Sequence, residues 1–226
     1  MPLFLNIIDI IFFMVKKIKA VIFDFDGTIA NTLPFTFEKI VQLSKKYRIK
    51  KEKDELIEKV SQLSPEKLMK EFKISWFKVP FILWEIKQSQ KALFKEIDKI
   101  KIFPGIKKLL KELKKKGIKI YIYSSNLKKN IVRFLEKEKI NQYFENVYVG
   151  RNLLGKDKDL INILKKEGLK TDEVYYVADE IRDALACQKA KIKMIGVSWG
   201  LAGERGLTKI KVYYLIKKPD EILKLV

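Results

Sequence analysis

The stretch AVIFDFDGTIANT, residues 20–32, opens as an apolar run and then sets two aspartates around a single phenylalanine. The run has the length and composition of a buried strand. In extended chain, residues i and i+2 point the same way. Asp24 and Asp26 can therefore both face the rim at the strand's end while Phe25 turns into the core. Two close carboxylates repel unless a cation sits between them, and hard oxygen ligands suit Mg²⁺. One aspartate can then act as a nucleophile towards phosphorus while the other handles protons. Gly27 lets the backbone turn sharply and approach a ligand closely.

Working outward, residues 34–100 read as helix. Apolar residues recur at helical spacing at Phe37, Ile40, Val41 and Leu43, then at Leu56, Ile57, Val60 and Leu63. Ser64-Pro65-Glu66 has the form of a helix start. No glycine occurs in this region, which suits a bundle of about four helices, with Trp76 and Trp84 expected in its core. After Pro104-Gly105 the pattern changes to an amphipathic helix, a stop at Gly117 and a strand over 118–123. Strands then alternate with helices: helix 126–139, the strand YFENVYVG, helix 158–167, strand 173–179, helix 181–190 and the strand MIGVSWG. A weaker strand, VYYLI, and a terminal helix from Pro219 follow. This alternation argues for an α/β fold with a Rossmann-like parallel sheet. The helical stretch after the first strand is too long for one crossover and reads as an inserted all-helical domain. The expected organisation is an apolar extension at 1–13, a core domain from 14–30 and 101–226, and the helical insert at 31–100.

Ligand sites of open parallel sheets lie at the carboxyl ends of their strands. Those ends carry Asp24-Phe25-Asp26-Gly27-Thr28, Ser124-Ser125-Asn126, the loop 150–158, and Asp179-Glu180-Ile181-Arg182-Asp183. Asp179, arriving from a second strand, would add a third oxygen to the pair at 24 and 26.

Composition narrows the chemistry. The chain of 226 residues has no histidine, which excludes Ser-His-Asp and Cys-His catalysis and His-ligated zinc. Its single cysteine, Cys187, permits no intrachain disulfide, fits a reducing, cytoplasmic setting, and reads as a small core residue. The net charge of +20 comes from forty-three lysines and only five arginines, spread along helices as wet faces. Base and phosphate recognition favours arginine forks, so specific nucleic-acid binding is not expected. The charge should still attract small anions. Segment 1–13 is too short for an easy membrane span and contains Asn6 and Asp9. Either native synthesis starts at Met14, or the segment docks as a helix on the domain or on a membrane surface. Membrane contact is expected nowhere else.

The ordered motifs resemble those of the haloacid dehalogenase (HAD) superfamily. DFDGT resembles its first motif, Ser125-Asn126 its strand-end Ser/Thr, Lys156 in GKDKDL its motif lysine, and ADEIRDALACQKA its acidic fourth motif. The segment FPGIKKLLKELKKKG is similar to the one following the cap in phosphoglycolate-phosphatase-like members. The resemblance spans about residues 19–200 and implies a helical cap at 31–100. It implies that Asp24 is the nucleophile forming an aspartyl-phosphate, and that Asp26 protonates the leaving oxygen and then activates water. It further implies that Ser125 bonds the transferring phosphoryl group and that Lys156 neutralises its charge. Gly27, Thr28 and Asn126 would contact substrate. Asp24, Asp179 and the Asp26 carbonyl would hold Mg²⁺, with Asp183 in support. The implied reaction is hydrolysis of a small phosphorylated metabolite, phosphoglycolate being the nearest substrate, by a monomer or homodimer. A phosphomutase of the β-phosphoglucomutase type and a non-catalytic binding protein are the alternative readings.

Several positions stay open or depart from the pattern. Ser124 rivals Ser125, and Lys158 rivals Lys156. Asn31 stands where relatives of this type often carry Asp, and Ala178 replaces the usual Gly before Asp179. Asp183 has a competing reading as a cap or surface ion pair, and Glu180 reads as a cap of its helix.

Overall fold

The computed structural model describes residues 17–150 and 155–226. Segment 1–13, with its two readings, and positions 151–154 of the loop before Lys156 lie outside the described residues.

Six strands form one parallel sheet: β1 (Ala20–Phe23), β4 (Lys119–Ser124), β5 (Asn146–Val149), β6 (Val174–Ala178), β7 (Lys193–Val197) and β8 (Tyr214–Ile216). Two short strands, β2 (Ala30–Asn31) and β3 (Lys101–Ile102), pair antiparallel. The sheet order is β5-β4-β1-β6-β7-β8. The chain builds outward from β1 to one side, then returns to build the other side from β6. The switch in direction therefore falls at β1, where open parallel sheets place their crevice. Phe23 lies opposite Ile122 of β4 and Val177 of β6. That register brings the ends of β1, β4 and β6 to one edge.

Period-two alternation sends side chains to two apolar layers. On one face Val21, Phe23, Ile120, Ile122 and Val177 pack on α5 (Ile106–Lys115) and α6 (Lys128–Lys137). On the other, Ile22, Tyr121, Tyr123 and Tyr176 pack on α7 (Lys156–Glu167) and α8 (Ile181–Ala190), with Cys187 buried among them. Phe25 is fully buried and meets Phe134 of α6 edge-on, with ring centroids 5.2 Å apart and planes at 85°. Ile106, Leu109, Leu110 and Leu113 are the buried stripe of α5, while its lysines stay wet. Burying each such side chain is worth about 1.5–3 kcal/mol.

Between β2 and β3 the chain makes four helices: α1 (Leu33–Lys46), α2 (Lys53–Gln62), α3 (Pro65–Glu71) and α4 (Val79–Glu96). The Ser64 hydroxyl accepts the Lys67 amide at the start of α3, with Pro65 in the first position. The two-stranded ribbon holds the exit and return of this insert side by side, a detail that its two-residue strands conceal in the sequence. Within these four helices only Ser44, Leu56 and Leu93 are buried. Trp76 and Trp84 are 66% and 57% exposed, not core. The insert's apolar residues exceed what its mutual contacts cover, and the aromatic side of α4 with the turn before it is left outward.

Two further boundaries differ from the sequence reading. The segment Pro219–Lys224 forms 3₁₀ turns, not an α-helix, and anchors through buried Ile222. Helix α6 begins at Lys128 because the Asn126 side chain accepts the Leu127 amide and keeps that stretch out of the helix. The last short helix, α9 (Gly203–Leu207), follows β7. Among the described residues no helix is long and apolar enough to cross a membrane.

Candidate active site

Asp24 emerges from β1 with its amide bonded to the Val177 carbonyl of β6 at 2.8 Å. One carboxylate oxygen accepts the Phe25 amide at 2.7 Å and the other accepts Lys156 Nζ at 3.0 Å. Lys156, at the first turn of α7, also donates to Asp183 Oδ1 at 2.5 Å. All three groups are at most 2% exposed. Burial pulls the Lys156 ammonium down, but the carboxylates of Asp183 and Asp24 outweigh it, so the amine is held firmly charged. Lys158 is exposed on the same helix and takes no part. Burial pushes the Asp183 carboxyl up to about 7, although Lys156 recovers part of the shift. The cap or surface-pair reading of Asp183 is replaced by this fully buried bridge.

Asp26 is half-buried, and its two oxygens accept the Asn126 amide at 3.1 and 2.9 Å. Asn126 is itself oriented, since its Oδ1 accepts the Leu127 amide and the Asn130 side chain. Burial, then the neighbouring Asp24 charge, push Asp26 up to about 6, against the lowering effect of the Asn126 bonds.

Asp179 is 1% exposed at the end of β6. Its Oδ1 accepts the Thr28 hydroxyl at 2.9 Å and its Oδ2 accepts the Leu201 amide at 2.6 Å. Thr28 is thus turned to Asp179 within the core. Two glycines make room for this carboxylate: a Cβ at Gly27 would fall 2.1 Å from Oδ2, and one at Gly200 2.1 Å from the Asp179 Cβ. Gly27 also has φ of +73°, which favours glycine on its own account. The part played by Gly200 was invisible in sequence, where it looks like an ordinary strand-end turn. Burial, then the charges of Glu180 and Asp24, raise the Asp179 carboxyl well above the usual range.

Ser124 is buried, its hydroxyl accepting the Asn126 amide at 3.1 Å. Ser125 is half-buried and faces a chamber under the helical insert, where its Oγ accepts from Arg182 at 3.5 Å. Glu180 does not cap α8; it makes a forked pair with Arg182, at 2.5 and 2.8 Å. This pair is the part of the site that sequence reasoning missed. Its only signal was two charged residues among the strand-end acids. Asp26, Ser125, Asn126, Glu180 and Arg182 form the chamber's polar floor. The insert is fastened to this floor, since Gln90 of α4 donates to the Ser125 carbonyl at 3.0 Å and accepts from Asn130 at 2.7 Å.

Asp24, Glu180 and Asp183 bring carboxylate oxygens within 4.8 Å of one another. Asp183 Oδ2 is buried without a hydrogen-bond partner. Five acids, at 24, 26, 179, 180 and 183, face two bases, Lys156 and Arg182, among the described residues of this neighbourhood. An excess of buried negative charge, hard oxygen donors and an orphaned carboxylate oxygen fit a divalent cation. The geometric cluster shares Asp24 with the expected ligand set but includes Glu180 and Asp183 and leaves out Asp179; the expected Asp26 ligand is a backbone carbonyl.

A family model described as haloacid dehalogenase-like hydrolase matches residues 21–197. The chain belongs to the haloacid dehalogenase-like hydrolase family. It is 27% identical over 212 residues to a phosphoglycolate phosphatase of Synechococcus elongatus, covering 92% of this chain and 97% of the relative. It is 25% identical to the pyrophosphatase PpaX of Bacillus mycoides, covering 92% and 96% of the two chains. The crystal structure of a predicted phosphatase from Clostridium acetobutylicum superposes with a TM-score of 0.76 at 21% identity, covering 92% of this chain and 98% of that one. The HAD-family hydrolase fold of the sequence reading is thereby established, with its parallel core and helical insert.

Proposed function

We propose that this hydrolase is a divalent-metal-dependent phosphatase acting on a phosphate monoester through a phosphorylated Asp24, with helices α1–α4 serving as its cap. Asp24 is the nucleophile: a carboxylate oxygen bonds to phosphorus as the ester P–O bond breaks. Lys156 pairs with that carboxylate and orients it, and Asp183 holds Lys156 in place. Asp26, protonated below its raised pKa of about 6, gives its proton to the leaving oxygen. Its carboxylate then takes a proton from water as the water oxygen attacks phosphorus, releasing phosphate and restoring Asp24. A general acid–base group is most effective when its pKa lies near the working pH. Ser125 and Arg182 donate hydrogen bonds to the phosphoryl oxygens. Asp24, Glu180 and Asp183, with Asp179 alongside, would hold Mg²⁺, which supplies charge neutralisation for the phosphoryl group. Thr28, Gly27 and Gly200 position Asp179, while Asn126 positions Asp26.

The observation that carries this reading is the pairing of a buried, lysine-held Asp24 with an adjacent Asp26 whose carboxyl is lifted to about 6. The names of the relatives support phosphomonoester or diphosphate chemistry. The single cysteine, which is buried, fits the reducing, cytoplasmic setting that this reading takes. The test is turnover of p-nitrophenyl phosphate with and without Mg²⁺, in wild type and in Asp24→Asn. Mg²⁺-dependent turnover that disappears in Asp24→Asn is expected. Equal turnover in both proteins would remove the nucleophile assignment; with a sugar phosphate and its bisphosphate primer as substrates, isomerisation in place of inorganic phosphate release would favour a mutase.

A further inference from the structure

The chamber above the acidic floor has a volume of about 510 Å³, within the ordinary range for a site that encloses a small organic ligand. Its walls are mostly hydrocarbon. Leu43 of α1, Leu56 of α2, Met69 of α3, and Ile82, Leu83 and Ile86 of α4 all face it. Among the described residues the single cation on the walls is Lys39, whose ammonium is taken by Gln42 and lies 5.4 Å from the Phe35 ring centroid. Arg182 stands at the floor beside Ser125 and is paired with Glu180. A second negative group on a substrate, such as the carboxylate of phosphoglycolate, would find a single cation in these walls, Lys39, already hydrogen-bonded to Gln42.

The burial pattern says the same thing from the side of packing. Four helices with many apolar residues bury only Ser44, Leu56 and Leu93. Their apolar faces converge on the chamber more than on one another. Atoms lining a void forfeit dispersion contacts, and apolar walls in contact with water forfeit hydrophobic free energy. An apolar occupant recovers both. Trp76 lines the chamber and is 66% exposed, and Phe77, Phe81 and Trp84, close to it in the chain, are exposed as well.

Resting on the phosphatase reading, we infer that the leaving group of the substrate is an extended apolar alcohol, an alkyl, isoprenoid or aryl chain. Its phosphate sits on the floor formed by Ser125 and Arg182, and its hydrocarbon fills the chamber under α1–α4. The strand ends supply the chemistry, and the insert supplies selection by hydrophobic burial.

The experiment measures kcat/KM of the full chain with Mg²⁺ for straight-chain alkyl phosphates of increasing length, each below its micelle concentration, beside phosphoglycolate. A buried methylene is worth about a fourfold change in an equilibrium or rate ratio. The expected result is a rise of about fourfold per added methylene until the chamber is full, with phosphoglycolate among the poorest substrates. A flat series, or a preference for phosphoglycolate, overturns the inference. In parallel, calorimetry measures binding of alkylphosphonates of the same lengths, which requires no turnover. Affinity should climb with the same slope, and Leu83→Asn should flatten it. Chain-dependent binding without hydrolysis of any ester would sink the phosphatase reading and leave the chamber assignment standing. Binding independent of length would sink the chamber assignment whatever the turnover.

Discussion

Replacing Lys156 by Met tests how the site is held together. The ammonium sits 3.0 Å from Asp24 and 2.5 Å from Asp183, and none of the three is more than 2% exposed. Methionine keeps most of the volume and deletes the charge. Removing one partner of a buried ion pair typically costs about 3–5 kcal/mol, because the remaining charge is stranded. Here two carboxylates are stranded by one change, so the upper end of that range is expected at pH 8. The pH dependence follows from the direction of the carboxylate shifts. Without the lysine, the Asp183 carboxyl is pushed up further than the value of about 7 that it already has. A carboxyl raised on folding carries no penalty below its unfolded pKa of about 3.9 and an increasing one as pH rises through its folded value. Urea denaturation should therefore give a small loss for Lys156→Met near pH 4.5 and the full loss at pH 8. Adding Asp183→Asn to Lys156→Met should recover part of that loss. An equal loss at the two pH values, or a loss at pH 8 no larger than the roughly 0.5 kcal/mol expected for exposed Lys158→Met, would refute the reasoning.

Other expectations follow from the same geometry. The alkaline limb of the kcat/KM profile should reflect Asp26 near pH 6, because Asp26 must be protonated to serve the leaving oxygen, and Asn126→Ala should move that limb to higher pH, since the lost amide bonds favour the ionised form; stopped assays across pH 4.5–8.5 will show it. Gly200→Ala places a methyl 2.1 Å from the Asp179 Cβ and should cost about 1–3 kcal/mol in stability. Displacement of Asp179 by that methyl should lower kcat by about 10²-fold. Phe134→Ala removes the edge-on partner of Phe25 beneath the two aspartates and should cost about 3–5 kcal/mol in urea melts. Mg²⁺ at a hundred times its Kd should stabilise the protein by about 2.7 kcal/mol, and EDTA should reverse this, while Asp183→Asn should reduce the shift.

The parallel core was legible because each of its strands is a short apolar run closed by polar residues, and each helix carries a clear stripe, as α5 does. Asp24, Asp26 and Phe25 could be oriented from the two-residue period alone. What could not be read depends on contacts between distant segments. Thr28 faces Asp179, 151 residues away, and nothing in DGT distinguishes a hydroxyl that meets substrate from one that meets a carboxylate. The Glu180–Arg182 fork depends on side-chain directions at a helix start, where a capping role is the local expectation. Ser124 and Ser125 are separated by the end of β4 itself: the last strand residue turns inward and the first loop residue turns to the chamber. Trp76 and Trp84 misled because helical spacing identifies an apolar face without saying whether protein, ligand or solvent meets it. In the insert, much of that face meets a chamber.

The most direct test of the central claim is mass spectrometry of enzyme quenched in acid during turnover of p-nitrophenyl phosphate with Mg²⁺. A phosphoryl group confined to the peptide bearing Asp24, absent when Mg²⁺ is withheld and absent from Asp24→Asn, is the predicted result. Steady turnover with no phosphorylated enzyme at any quench time, or with the label on another residue, would contradict the account.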